Sequence, residues 1–122
     1  MSITLSQYLT TAVQNNLIDS ELSALISAVA QLSKDINDKV THGALAGVLG
    51  MAGTDNVQGE HQKKLDVISN EIFVSGVEWT GSVAGMASEE MDDCLVTPPQ
   101  LKIVKFLITF DPLDGSSNID FN

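Results

Sequence analysis

The chain has 122 residues, of which 43% are hydrophobic, so it can form one compact unit with a modest core. It carries 16 acidic residues against 6 lysines, a formal net charge of -10, and no arginine. Nucleic acid and anionic membrane surfaces would repel it, whereas divalent cations would neutralise it. The single cysteine, Cys94, excludes an internal disulfide and favours a reducing compartment. With no signal-peptide pattern and no apolar run near the ~20 residues of a membrane span, we expect a soluble cytoplasmic protein.

Apolar residues at helical spacing predict two helices before the first glycine. The first covers Thr4–Gln14. The second begins at an N-cap on Asp19 or Ser20, and its apolar stripe predicts that it continues to about His42, with Gly43 as a stop.

A glycine-rich segment follows, and it contains a further helix signal. Gly47 and Gly50 fit a frayed helix end, and Gly53–Gly59 predicts a mobile loop because Gly, Asn and Asp favour turns. A third helix is predicted from about His61 to Val77.

The last part of the chain has the pattern of strands. Val83–Ala87 and Cys94–Thr97 are short and strand-like, and Ile103–Phe110 is a nearly unbroken apolar run, as in a strand covered on both faces. The order is therefore helices followed by strands, with the richest polar cluster directly after the longest strand.

That polar cluster, DPLDGSSNID at Asp111–Asp120, suits a metal ion. Because Pro112 pushes the preceding residue toward extended backbone, Asp111 should present its carboxylate at the end of the strand. Asp114 and the carbonyl of Leu113 can face the same point across the turn. Hard oxygen ligands of this kind suit Mg²⁺ or Mn²⁺.

The continuation of the turn suits an anion. Gly115 permits a tight backbone, and Ser116, Ser117 and Asn118 are residue types that begin helices, where free amides bind phosphate. Metal ions and amides could thus hold a phosphate without arginine. Asp-Pro-x-Asp-Gly is also ordinary turn chemistry, so a purely structural turn remains the alternative.

Two further acidic groups could join the turn. Glu89 and Glu90 follow the first predicted strand, and their mutual repulsion would raise the pKa of one unless a cation separates them. A solvated face is the alternative for this run, and we assign it to Asp92 and Asp93. In the third helix, Glu60 fits the start of the helix. Asp66 is a charge beside apolar positions of the same helix, where it needs a reason. Lys63 and Lys64 fit solvent-facing positions.

The segments GMAGTDNVQGEHQKKLDV, ASEE and FDPLDGSSNID, in this order and spacing, resemble class I fructose-1,6-bisphosphatases over nearly the whole chain. The wider superfamily of lithium-sensitive phosphatases shares the acidic pair and the DPLDG turn, whereas SSNID and QKKLD favour the fructose-bisphosphatase branch. The resemblance implies an α/β fold, layered as helices followed by a mixed sheet, with residues 1–122 as the N-terminal domain. It also implies Mg²⁺-dependent hydrolysis of the 1-phosphate of fructose 1,6-bisphosphate, as in gluconeogenesis or the Calvin cycle.

The resemblance also implies roles for matching residues. Glu89 and Asp111 would bridge two or more magnesium ions, with Asp114, the Leu113 carbonyl and Glu60 as further ligands. Asp66 and Glu90 match the pair that orients or deprotonates the attacking water. The implied substrate contacts are Asn56 and the loop Asp114, Gly115, Ser116 and Ser117. An AMP-site pattern is carried by Glu21, Leu22, Ser23 and Lys105, although Asp19-Ser20 stand where Thr-Gly is usual and Phe106 replaces a tyrosine.

The family is close to three times longer than this sequence, so we expect an N-terminal fragment without turnover of its own and a homotetramer for the complete enzyme. Cys94 fits a small packing residue, because the thiol-regulatory insertion of plastid members is absent. Two alternatives stay open. One is another superfamily phosphatase, acting on sedoheptulose bisphosphate or inositol phosphate. The other is a non-catalytic acidic fragment that binds cations or contributes to oligomerisation.

Overall fold

A computed structural model describes residues 2–50, 55–96 and 106–113, and for residues 44–50 and 55–63 it describes the backbone only. Three helices come first: α1 (Leu5–Gln14), α2 (Ser20–Gly50) and α3 (Asp55–Thr80). Three strands follow: β1 (Val83–Ser88), β2 (Leu95–Val96) and β3 (Phe106–Phe110). The predicted α/β fold, helices followed by a mixed sheet, is therefore confirmed. Within these described ranges, no helix is long and apolar enough to cross a membrane.

The first two helices begin at side-chain caps. The Thr4 hydroxyl accepts a hydrogen bond from the Gln7 amide, and the Gln7 side chain accepts one from the Thr4 amide, at 3.1 and 2.8 Å. These two reciprocal hydrogen bonds provide acceptors for two backbone amides that have no partner within the helix. Asp19 is the N-cap of α2, because its Oδ1 accepts from the Leu22 amide at 2.7 Å.

The predicted stop of the second helix at Gly43 is wrong, whereas Gly47 and Gly50 do lie in its end, as their pattern allowed. α2 does not stop at Gly43 but continues to Gly50. Each glycine inside a helix costs only about 1 kcal/mol relative to alanine, and the Ala and Leu residues between Gly43, Gly47 and Gly50 favour helix. The helix propensity of these residues therefore offsets the cost of the glycines.

The third helix is longer than predicted at both ends. It begins at Asp55, so the predicted loop Gly53–Gly59 is wrong from that residue onward, and residues 51–54 lie outside the described part. It ends at Thr80 rather than Val77. Gly81, with φ of 70°, takes the left-handed conformation that ends helices, and its amide donates to the Glu78 carbonyl at 3.1 Å.

The sheet has the strand order β2-β1-β3. β1 pairs antiparallel with β2 and parallel with β3, and an irregularity in the pairing between Val83 and Gly85 shifts the register of the parallel pair. β2 begins at Leu95, one residue later than the predicted Cys94. Residues 97–105 lie outside the described part, and with them the predicted end of β2 and the predicted beginning of β3.

The core lies between the helices and one face of the sheet. α2 and α3 pack closely at Gly76, where a Cβ atom would overlap the Leu32 side chain. The ring centroids of Phe73 on α3 and Phe110 on β3 are 4.2 Å apart. The buried residues of this core are Leu25, Ile36, Phe73, Val77, Val83 and Met86. The helical layer thus holds β1 and β3 from one side and fixes where the two strands end.

Candidate metal centre

The parallel pairing of β1 and β3 brings two acidic segments together. Ser88 and Phe110 are register partners at the ends of the two strands, and the Glu89 amide donates to the Phe110 carbonyl at 3.1 Å. Because parallel strands end at the same edge of a sheet, the residues that follow them leave the sheet side by side. The sequence Glu89-Glu90 after β1 therefore lies beside Asp111 after β3.

Three carboxylates meet at this edge. One oxygen from each of Glu89, Glu90 and Asp111 lies within 4.8 Å of the other two, and all three side chains are exposed. Two oxygens bound to one Mg²⁺ at its usual distance are about 3 to 4 Å apart, so small side-chain rotations would let these carboxylates share an ion. Hard, anionic oxygen donors fit Mg²⁺ or Mn²⁺ rather than zinc. We name Glu89, Glu90 and Asp111 the acidic edge.

Asp66 approaches the acidic edge from α3. It is half-buried, and its Oδ1 is shielded from solvent. Partial loss of hydration, and then the negative charge of Asp66, raise the pKa of Glu90 above its ordinary value. A hydrogen bond that protonated Glu90 donates to the Glu89 carboxylate, and the charges of Glu89 and Asp111, add to this rise. The structure thus brings the predicted pair Asp66 and Glu90 close enough to interact.

Sequence reasoning missed two residues that hold the acidic edge in place. The Ser88 hydroxyl donates to Asn70 Oδ1 on α3 at 2.6 Å, and the same hydroxyl accepts from the Glu90 amide at 3.2 Å. Ser88 is 7% exposed. The sequence contained one indication for Asn70, because it follows Asp66 by four residues and so lies on the same face of the helix. Ser88 and Asn70 are positioning residues that tie the Glu89-Glu90 turn to α3.

The turn after β3 shapes the other side of the acidic edge. Asp111 Oδ1 accepts from the Leu113 amide at 3.4 Å, a long bond that closes a turn over Pro112. Leu113 is half-buried. Asp111 lies directly after β3, which ends at Phe110 rather than continuing through Asp111, and its carboxylate lies at the acidic edge.

The other predicted site residues do not all fall in the described part. Glu21, Leu22 and Ser23 form the first turn of α2 and are half-buried. Glu60 and Asn56 lie on α3, where only the backbone is described. Outside the described residues lie Lys105, Asp114, Gly115, Ser116 and Ser117. The ligand, phosphate-loop and AMP-site assignments to these residues therefore stay predictions.

Helices packed on one face of a mixed sheet, with carboxylates gathered where parallel strands end, agree with the α/β fold that the motifs suggested. Residues 3–122 match the family model described as fructose-1-6-bisphosphatase, N-terminal domain. The chain belongs to this family.

Solved structures agree with the family match. The crystal structure of Leishmania major fructose-1,6-bisphosphatase in holo form is similar with a TM-score of 0.75 and 34% sequence identity, over 100% of this chain and 35% of that one. The apo form of the same enzyme gives a TM-score of 0.72 and 31% identity, over 100% of this chain and 33% of that one. The chain therefore spans about a third of the length of these structures.

Proposed function

We propose that this chain forms the N-terminal part of a Mg²⁺-dependent fructose-1,6-bisphosphatase, which hydrolyses fructose 1,6-bisphosphate to fructose 6-phosphate and phosphate. The observation that carries the proposal is the acidic edge, where carboxylate oxygens from two parallel strands come within 4.8 Å of one another. Membership of the fructose-1,6-bisphosphatase family supports the choice of substrate.

In this proposal some carboxylates bind the metal and others transfer a proton. Glu89 and Asp111 would hold the metal through their side-chain oxygens, and the Leu113 carbonyl, Asp114 and Glu60 would complete the ligand set. Bound Mg²⁺ would supply the positive charge that stabilises the transferring phosphoryl group and its leaving oxygen. The amides and hydroxyls of Gly115, Ser116 and Ser117 bind the phosphate and orient it.

Proton transfer falls to Glu90 and Asp66. The raised pKa of Glu90 gives its carboxylate a stronger tendency to accept a proton than an ordinary glutamate has. A Glu90 carboxylate oxygen would take the proton of the attacking water. Asp66, held on α3 with one oxygen shielded from solvent, supports that role by keeping negative charge beside Glu90.

The decisive experiment measures turnover by an enzyme that contains this chain and has the full length of its relatives. Asp111→Asn keeps the shape of the side chain but removes a charged ligand, and we expect turnover of fructose 1,6-bisphosphate to fall at least about a hundredfold. Asp93→Asn is the matched control, because Asp93 is exposed on the loop after the acidic edge and should leave turnover unchanged. Near-normal turnover of Asp111→Asn at saturating Mg²⁺ would refute the ligand role.

Calorimetry separates this proposal from a mere cation-binding fragment. In a phosphatase site, Mg²⁺ and the sugar phosphate should strengthen each other's binding, whereas a cation buffer would show no such coupling. Comparing fructose, sedoheptulose and inositol phosphates as substrates separates the nearest enzymatic alternatives. We expect the 122-residue chain alone to have no turnover, because it spans about a third of the solved relatives.

A further inference from the structure

Glu89 and Glu90 are neighbours in the sequence, but their backbone amides are bound to different parts of the fold. The Glu89 amide donates to the Phe110 carbonyl of β3 at 3.1 Å. The Glu90 amide donates to the Ser88 hydroxyl at 3.2 Å, and that hydroxyl donates to Asn70 Oδ1 on α3 at 2.6 Å. The two glutamates therefore have separate anchors, the sheet for Glu89 and α3 for Glu90.

Asn70 also determines which way the Ser88 hydroxyl points. A serine hydroxyl has one proton to donate and two lone pairs that accept. Because its proton is given to Asn70 Oδ1, a lone pair remains for the Glu90 amide. Ser88 is 7% exposed, which leaves little room for water to replace Asn70 as the acceptor. Without the Asn70 carbonyl, the hydroxyl would lose its fixed orientation and the Glu90 amide its link to α3.

The part of α3 that carries Asn70 is held firmly by the core. Leu65 and Ser69 are 5% and 1% exposed, and each directly precedes a residue of the site, Asp66 and Asn70 respectively. One turn further along, the Phe73 ring packs against β3. Residues four apart lie about 6 Å apart along a helix and on the same face, so Asp66 and Asn70 are presented together by one buried helix.

Asp66 and Glu90 are the proposed proton-transfer pair, and their charges interact between α3 and the acidic edge. We propose that Asn70 is a positioning residue for proton transfer, because it holds Glu90 in place relative to Asp66. The metal ligands depend on it less, since the pairing of β1 with β3 sets them. This role rests on the proposed function, which assigns proton transfer to Glu90.

The kinetic test uses an enzyme that contains this chain and has the full length of its relatives. Asn70→Ala removes the acceptor for the Ser88 hydroxyl but leaves every carboxylate of the acidic edge in place. We expect kcat for fructose 1,6-bisphosphate to fall at least about tenfold, because a small displacement of a reacting group lowers the rate steeply. The KM for the substrate and the Mg²⁺ concentration at half-maximal rate should change less than about threefold, because the binding groups remain.

Two comparisons accompany this variant. Asn37→Ala is the matched control, because Asn37 is exposed on α2 and its loss should leave kcat unchanged. Ser88→Ala removes the other partner of the hydrogen bond. Since Ser88 and Asn70 act through one hydrogen bond, adding Asn70→Ala to Ser88→Ala should lower kcat less than about twofold further.

Amide hydrogen exchange separates a positioning role from a general loss of stability. In Asn70→Ala, the Glu90 amide should exchange at least about tenfold faster than in the unmodified enzyme, because the Ser88 hydroxyl is no longer held. The Glu89 amide, bound to β3, should keep its rate. A merely structural role would accelerate both amides together. Mass spectrometry with fragmentation to single residues measures the two rates.

Three results would overturn the inference. Asn70→Ala and Asn37→Ala could have the same kcat. Asn70→Ala could weaken the binding of Mg²⁺ and substrate as strongly as it lowers kcat. The Glu89 and Glu90 amides could respond equally to Asn70→Ala.

Failure of the proposed function would look different. In that case the unmodified enzyme would not hydrolyse fructose 1,6-bisphosphate with Mg²⁺ at all, and the role of Asn70 in proton transfer would be refuted with it. The two amide exchange rates would still show whether Asn70 anchors Glu90 to α3, because they do not depend on turnover.

Discussion

Met86 and Glu89 are three residues apart, and their surroundings have opposite character. Met86, inside β1, is 1% exposed and packs in the apolar core with Val77 and Phe73. Glu89, just after β1, is exposed and lies beside two other carboxylates. Burial of apolar surface stabilises the first region, whereas like charges destabilise the second until a cation arrives. The core thus provides the stability that the acidic edge lacks.

The largest effect is expected in the core. Met86→Ala removes a buried side chain at the centre of the helix–sheet interface, and we expect it to lower the free energy of unfolding by about 2–5 kcal/mol. Urea unfolding of the 122-residue chain measures this.

The control for Met86→Ala lies on the neighbouring strand. Leu107→Ala removes a side chain that is 78% exposed, so its cost should stay below about 1 kcal/mol. If the two substitutions cost the same, the helices do not pack on the face of β1 that carries Met86, and the contrast between core and edge fails.

A smaller effect is expected where the two regions join. Ser88→Ala removes the hydrogen bond to Asn70 and the acceptor for the Glu90 amide. Because Ser88 is buried, the loss should cost about 1–2 kcal/mol in urea unfolding. It should also loosen the turn that carries Glu89 and Glu90, which would appear as weaker Mg²⁺ binding in calorimetry.

Ser33→Ala is the matched control for this variant. Its hydroxyl donates to the Val29 carbonyl on an exposed part of α2, so its loss should cost less than about 0.5 kcal/mol and leave Mg²⁺ binding unchanged. Equal results for the two serines would mean that Ser88 does not position the acidic edge.

The sequence predicted the elements better than their limits. Helices and strands were found because apolar residues recur at periods set by local geometry, whereas the glycines in α2 and at the start of α3 suggested ends that the fold overrides. Glu89, Glu90 and Asp111 could be proposed from their motifs. Their meeting depends on the parallel pairing of β1 with β3, which no local pattern contains. The hydrogen bond between Ser88 and Asn70 also depends on tertiary structure. Its only indication in the sequence was that Asp66 and Asn70 share a helix face.

The smallest effect concerns the charge of the acidic edge itself. Partial loss of hydration and the charge of Asp66 raise the pKa of Glu90 in the folded chain, so folding binds the Glu90 proton more tightly. Without metal, this group lowers stability above its folded pKa, and the penalty disappears as the pH falls through that pKa. Glu90→Gln should therefore raise the melting temperature of the EDTA-treated chain slightly near neutral pH and flatten its dependence on mildly acidic pH.

Mg²⁺ should act in the same direction as Glu90→Gln, because a cation removes the same repulsion, so its stabilising effect should be smaller in the variant than in the unmodified chain. Glu78→Gln removes one negative charge from an exposed site about 18 Å along α3 from Asp66 and controls for net charge. Melting curves over pH for the three proteins measure both effects. Parallel curves for Glu90→Gln and Glu78→Gln would show that Glu90 affects stability only through the net charge of the chain. They would contradict the inference that Asp66 repels Glu90 locally.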